Sequence, residues 1–281
     1  MKWGQWGSNL SIDEVSTLIK DIYDLGITAF DHADIYGDYE EEDRFGLAFP
    51  KTGIDRKDIQ LITKYGIRMI SEKYPQDYIK HYNATKEHMI ASAEVSLKKL
   101  GTDYLDVFLF HRPSPLMNPE EIAEGVEQLK SSGKILEFGV SNFTPSQFDL
   151  LNSYTPLYTN QVEASIAHLD PFTDGTFDQA LKYKYRPMIW SPMAGGQVFG
   201  EQKSENIIRI ISEINELSLT TGHPFDQLLL AFLMHHPAGL IPVLGTTKAI
   251  RYKSALEAVD IKLTDMEWFE IWSAAIGGEV A

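Results

Sequence analysis

Four residue types recur at the ends of short apolar runs: a carboxylate, a phenol, an ammonium and an imidazole. Asp31 closes the run Ile27–Phe30, and Tyr36 follows five residues later in FDHADIYG. Lys64 closes the run Ile59–Thr63, and His111 closes LDVFLF. A free phenol ionises near pH 10 and is a poor proton donor at neutrality. A buried lysine beside it stabilises the phenolate and lowers that value, and a carboxylate keeps the lysine charged. A neutral imidazole can orient a carbonyl oxygen. Together these groups make a general-acid site for reducing a carbonyl. The hydride must come from a cofactor, because no side chain supplies one. Three further runs end on Ser141 and Asn142, on Gln161 and on Trp190. The Asn142 and Gln161 carboxamides can grip a carboxamide, and the indole offers a flat face to an aromatic ring. Both suit a nicotinamide.

The elements that must deliver these residues alternate between amphipathic helices and short apolar strands. Residues 11–26 open with Ser11 and Glu14, a capping box, and end at Gly26. Helices are also predicted over 40–48, 85–100, 118–132, 145–153, 175–184, 204–220, 225–235, 247–258 and 265–275. Strands fall at 27–30, 59–63, 105–110, 135–140, 158–160, 187–189 and 241–244. Residues 66–84 show no clean period and read as an irregular loop. Helices between successive strands imply parallel pairing. Seven strands are one short of a closed (β/α)8 TIM barrel. Met1–Gln5 is therefore expected to be a shortened first barrel strand. A doubly wound sheet is the rival, but it usually carries GxGxxG after its first strand, and the sequence has none. A barrel places its chemistry at the C-terminal ends of the strands, where the residues above fall.

Bulk composition narrows the function. The chain has 281 residues, 43% of them hydrophobic, enough for one large core, so residues 1–281 are expected to form a single domain. It has no cysteine, which excludes disulfides and thiolate sites. A net charge of −15 disfavours nucleic acid. No apolar run is long enough for a membrane span and no secretory signal is visible, so a cytoplasmic protein is expected. His32 reads as a strand-end hydrogen-bond donor, Asp34 as a loop or salt-bridge residue, and His235–His236 as a helix end rather than a metal pair.

These blocks resemble the aldo-keto reductases. DHADIYG, ITKYG, LFHRP, GVSNF, TNQVE, WSPMAGG and IPVLGTTKAIRYKSALEA occur in the family's order over nearly the whole chain. DHADIYG, HRPSPLM and SNFTPSQFDLL are similar to the YdhF-like branch of bacterial oxidoreductases. The resemblance implies that Tyr36 donates the proton, Lys64 tunes it, Asp31 pairs with Lys64 and His111 orients the carbonyl. It implies NADP(H) as cofactor. Ser141, Asn142 and Gln161 would hold the nicotinamide amide, Trp190 would stack on its ring, and Ser191, Met193, Gly195 and Gly196 would line the pyrophosphate. Gly245, Thr246, Thr247, Lys248 and Arg251 would take the adenosine 2′-phosphate and adenine. Gly245 stands where many members have lysine, and Ser254 and Ala255 where many have Glu-Asn. A bottom-capping hairpin is not apparent. The implied partner is a small-molecule carbonyl substrate, with a monomer as the default. A nucleotide-binding regulatory subunit, like the potassium-channel β-subunits of this superfamily, is the alternative. A metal-dependent barrel hydrolase ranks last, because the strand ends lack a cluster of His and carboxylate ligands.

Overall fold

The computed structural model describes residues 3–280, which form two compact units. The first unit runs to Asn160 and includes Thr247–Ala249; the second comprises Gln161–Thr246 and Ile250 onward.

In the first unit, α1 (Ile12–Asp24) starts at the expected Ser11 cap, whose hydroxyl accepts from Glu14 N while the Glu14 carboxylate accepts from Ser11 N. Its apolar face buries Val15, Leu18, Ile19 and Ile22. Strand β1 (Ala29–Asp31) leads into the helical turn α2 (Tyr36–Tyr39) and helix α3 (Glu41–Ala48). Next come β2 (Gln60–Tyr65), the two-residue strands β3 (Ile67–Arg68) and β4 (His81–Tyr82), and α4 (Lys86–Leu100), capped by Thr85 and closed by left-handed Gly101. The unit continues through β5 (Leu105–Phe110), α5 (Pro119–Ser131), β6 (Ile135–Ser141) and α6 (Pro145–Asn152). Strands β1, β2, β5 and β6 pair in that order, all parallel. Tyr65 stacks on Phe108 and Phe110, with ring centroids 4.9 and 5.0 Å away, at the centre of this core.

The second unit holds β7 (Asn160–Glu163, its first residue lying in the first unit), α7 (Asp170–Thr173), α8 (Thr176–Tyr183) and β8 (Met188–Trp190). It then has α9 (Glu205–Thr221), α10 (Phe225–Met234), β9 (Ile241–Pro242), α11 (Ala249–Glu257, its first residue lying in the first unit) and α12 (Asp265–Ile276). Strands β7, β8 and β9 pair parallel in that order. A stack of Phe232, Trp268 and Trp272 joins α10 to α12, with successive centroids 4.9 and 5.2 Å apart. No helix among the described residues is long and apolar enough to cross a membrane.

All seven expected strands form, with parallel pairing. Three expectations change. Met1 and Lys2 lie outside the described residues, and Trp3–Gln5 make turns rather than a first strand. Local hydrogen bonds fold this segment back on itself: Gly7 N and Asn9 N donate to Gly4 O, and Leu10 N to Trp3 O. The 66–84 loop is not irregular throughout, because β3 and β4 form an antiparallel hairpin closed by an Arg68–Asp77 ion pair of 2.6 Å. The strand expected at 158–160 is assigned two residues later, although Tyr158 N still donates to Phe138 O.

Candidate active site

Strand register explains why distant residues meet. Asp31 pairs with Ile62, Lys64 with Leu109, and Leu109 with Gly139. Side chains two apart share a face of a strand. Asp31, Lys64, His111 and Ser141 therefore project from one side of the first unit's sheet. His111 N donates to Tyr65 O at 2.9 Å, which carries the ladder one residue beyond the strand.

Lys64 is the hub, and its side chain is fully buried. Its ammonium donates to Asp31 Oδ2 at 2.6 Å and to His32 O at 2.7 Å, and lies 3.4 Å from Tyr36 Oη. Burial acts to lower the lysine's pKa, but the Asp31 charge and the Tyr36 phenol together hold it above its ordinary value. The ammonium is therefore kept charged.

Tyr36 corrects one expectation. Burial pushes its pKa above the ordinary phenol value, and the opposing pull of Lys64 only moderates that rise. Lysine thus lowers the phenol relative to what burial alone would give, without bringing it below its free value. A phenol in this state remains protonated at neutral pH and is available as a donor.

The His111 ring lies edge-on to Tyr36, with centroids 5.9 Å apart. Burial, with the Lys64 and Arg112 charges added, holds its pKa well below the usual imidazole range. The ring is neutral, and its buried Nδ1 has no hydrogen-bond partner among the described residues. Asn142 extends the cluster: its Nδ2 donates to Ser141 Oγ at 2.7 Å and to His111 O at 3.4 Å. It adopts a left-handed φ of 60°, as asparagine tolerates. Asp31, Tyr36, Lys64, His111, Ser141 and Asn142 are thus linked within one unit.

The remaining expected cofactor residues divide between the two units. In the second, Gln161 is buried and donates to Met188 Sδ at 3.7 Å. Trp190 ends β8 half-buried, Ser191 turns left-handed at φ 53°, and Met193 precedes a turn in which Gly195 and Gly196 have φ of 61° and 90°. Space is open around both glycines, so a ligand could approach their backbone. Gly245 and Thr246 follow β9, and Thr246 O accepts from Tyr252 Oη at 2.7 Å. Arg251 is exposed on α11. Thr247 and Lys248 belong to the first unit, where Thr247 Oγ1 lies 3.4 Å from Ser8 Oγ. Ser254 is engaged elsewhere, donating to Asp226 Oδ2 at 2.7 Å and tying α11 to α10.

Of two minor readings, His32 as a side-chain donor fails, and Asp34 is a loop residue rather than a salt-bridge member. The His32 ring is fully buried against Phe45, 4.6 Å between centroids, and neither nitrogen has a partner among the described residues. Only its backbone serves the site, through the carbonyl that accepts from Lys64. Asp34 makes no ion pair among the described residues. It is buried with Glu42 nearby, and burial with that neighbouring charge raises its pKa well above the carboxylate range. Sequence reasoning also missed Gln5, Lys73 and Lys99, which hold the turn after Tyr36. Nothing in their local spacing signals that contact.

A model of the Aldo/keto reductase family matches residues 1–276. The oxidoreductase YdhF of Escherichia coli is 39% identical over 99% of this chain and 93% of its own. A 6-dehydroglucose reductase of Agrobacterium fabrum is 35% identical over 99% and 95%. Among solved structures, the thermostable aldo-keto reductase Tm1743, in complex with the inhibitor epalrestat, superposes with a TM-score of 0.81. It is 25% identical, and the match covers 97% of this chain and 93% of that one. The chain is an oxidoreductase and belongs to the aldo/keto reductase family, whose fold is the (β/α)8 barrel. The expected YdhF-like branch is borne out by the relative of that name.

Proposed function

We propose that this protein reduces an aldehyde or ketone to an alcohol with NADPH, using Tyr36 as the proton donor. The observation that carries the reading is the buried Lys64 ammonium, fixed by Asp31 at 2.6 Å and standing 3.4 Å from the Tyr36 hydroxyl. The nicotinamide, when bound, supplies the hydride.

The chain's own groups account for the rest. The neutral His111 donates a hydrogen bond to the carbonyl oxygen and orients it. Tyr36, held neutral by burial, gives its proton to that oxygen as negative charge develops. Lys64 stabilises the phenolate left behind, and Asp31 holds Lys64 in place and charged. The residues expected at the cofactor suit its chemistry. Ser141, Asn142 and Gln161 offer hydroxyl and amide groups to a carboxamide, and the half-buried indole of Trp190 can face a ring. Ser191, Met193 and the open Gly195–Gly196 turn leave backbone accessible to a pyrophosphate. Lys248 and Arg251 are exposed cations near Gly245, Thr246 and Thr247, and support NADP over NAD because arginine suits a phosphate monoester.

The test is to mix the protein with NADPH and a panel of aldehydes and ketones, and to follow reduced-nicotinamide absorbance. 6-Dehydroglucose belongs in that panel because a relative carries its name. Consumption of NADPH with at least one carbonyl is expected. Tight NADPH binding without turnover of any panel member would overturn the reading in favour of a regulatory role.

A further inference from the structure

The backbone immediately after Tyr36 has an unusual shape. Gly37, Asp38 and Tyr39 have φ of 59°, 53° and 68°, so three successive residues are left-handed. L-residues avoid this region because Cβ crowds the following carbonyl, and runs of it are rarer still. An aromatic residue there is a marked outlier. Glycine relieves the first position alone. Such strain persists only where the surroundings impose it.

The surroundings here are three side chains from three separate segments of the chain, one for each carbonyl of the turn. Gln5 Nε2 donates to Gly37 O at 2.9 Å. Lys73 Nζ donates to Asp38 O at 2.6 Å, and its charge is balanced by Glu40 Oε1 at 2.6 Å. Lys99 Nζ, from the last turn of α4, donates to Tyr39 O. The Tyr39 hydroxyl in turn accepts from Met69 N at 2.9 Å, and its ring packs on Tyr74 with centroids 4.6 Å apart. The Tyr36 ring packs against the same buried cluster of Ala33, Ile35, Tyr39 and Ile67. The turn therefore sets where the phenol lies, and the three donors set the turn.

We propose that Gln5, Lys73 and Lys99 form a three-point clamp on the left-handed turn, and that this clamp positions the Tyr36 hydroxyl beside Lys64. They are positioning residues, acting through Tyr36. The inference rests on the reading of Tyr36 as the proton donor. Lys73 lies between β3 and β4, so the hairpin segment is mechanically tied to the phenol.

Lys73 offers the cleanest test, because it is partly exposed and its loss leaves the packed core intact. The clamp predicts a direction that a loss of charge does not. Tyr36 in place has a raised pKa because it is buried. Released from the clamp, it falls toward the free phenol value of about 10. Tyrosine-ring 13C NMR of the substrate-free protein reads this directly, with the Tyr36 signal assigned as the one missing in Tyr36→Phe. In Lys73→Met, the Tyr36 titration is expected to move down. The kcat for carbonyl reduction is expected to fall about tenfold, with the KM for NADPH and the Tm near wild type. Lys73→Arg is expected to restore both. Gln5→Leu is expected to shift the titration in the same direction. An unchanged Tyr36 titration in Lys73→Met and Gln5→Leu would overturn the clamp. So would a fall in kcat that tracks a fall in Tm. The titration needs no turnover, so failure of the clamp and failure of the proposed reaction are read separately.

Discussion

Replacing Lys64 by methionine removes the charge while keeping a chain of similar length. The ammonium lies 3.4 Å from the Tyr36 oxygen. Coulomb's law with an effective dielectric constant near 20 gives about 5 kcal/mol between a full phenolate and that ammonium. With about half the charge developed in the transition state, the loss is about 2.5 kcal/mol, or roughly 70-fold in kcat. The substitution also leaves Asp31 without its ion-pair partner, and breaking a buried pair from one side costs about 3–5 kcal/mol of stability. The Asp31 side chain is only 12% exposed, so the effect must be separated from catalysis. The double variant Asp31→Asn, Lys64→Met does this by removing both charges. Initial rates of NADPH consumption with a saturating aldehyde, measured beside thermal unfolding, give the two quantities. Stability is expected to recover in the double variant and the rate is not. The phenol's titration is expected to move up in Lys64→Met, opposite to its movement in Lys73→Met, because burial is kept and the cation is lost. A folded double variant turning over within about threefold of wild type would refute the electrostatic role of Lys64.

Three further predictions concern the rest of the molecule. Gly37→Ala places a side chain at φ 59°, with its Cβ 2.6 Å from the buried Glu41 Oε1, and is expected to cost about 1–2 kcal/mol in urea unfolding and to lower kcat. Arg251→Ala is expected to weaken NADPH binding about tenfold more than NADH binding, read by fluorescence titration; equal losses would contradict a 2′-phosphate contact. His88 has a pKa lowered to about 4, chiefly by burial and then by the Arg68 charge. A lowered folded value means that its contribution is complete above the unfolded value near 6.5 and is lost as pH falls toward 4. That loss amounts to roughly 3 kcal/mol, and His88→Gln is expected to flatten the pH dependence of the urea midpoint across the window.

Much of this was readable from residue order. LDVFLF bounds β5 to the residue, and the Ser11 capping box starts α1 where the sequence places it. These are local signals, and local hydrogen bonds honour them. Placing Asp31, Lys64 and His111 at strand ends was enough to bring them to one face, because parallel register and a two-residue period do the rest. Where sequence reasoning missed the turn after Tyr36, the deciding contacts were distant. The turn at Gly37–Tyr39 is announced by glycine alone, and Asp38 and Tyr39 are held there by Lys73 and Lys99 from far along the chain. The β3–β4 hairpin has strands of two residues, too short to show a period. Gly4 folds the segment expected as a first strand into a turn. The pKa of Tyr36 could not be signed from neighbours alone, because burial outweighs Lys64 and burial is a property of the fold.

In the proposed reaction the Tyr36 phenol, rather than any neighbouring group, protonates the reduced carbonyl. Tyr36→Phe removes one oxygen and leaves the ring packed among Ala33, Ile35 and Tyr39. The decisive measurement compares NADPH consumption by this variant and the wild type with the same aldehyde, alongside NADPH binding by fluorescence quenching. Turnover is expected to be lost while cofactor affinity stays near wild type. Turnover at wild-type rates by Tyr36→Phe would contradict it.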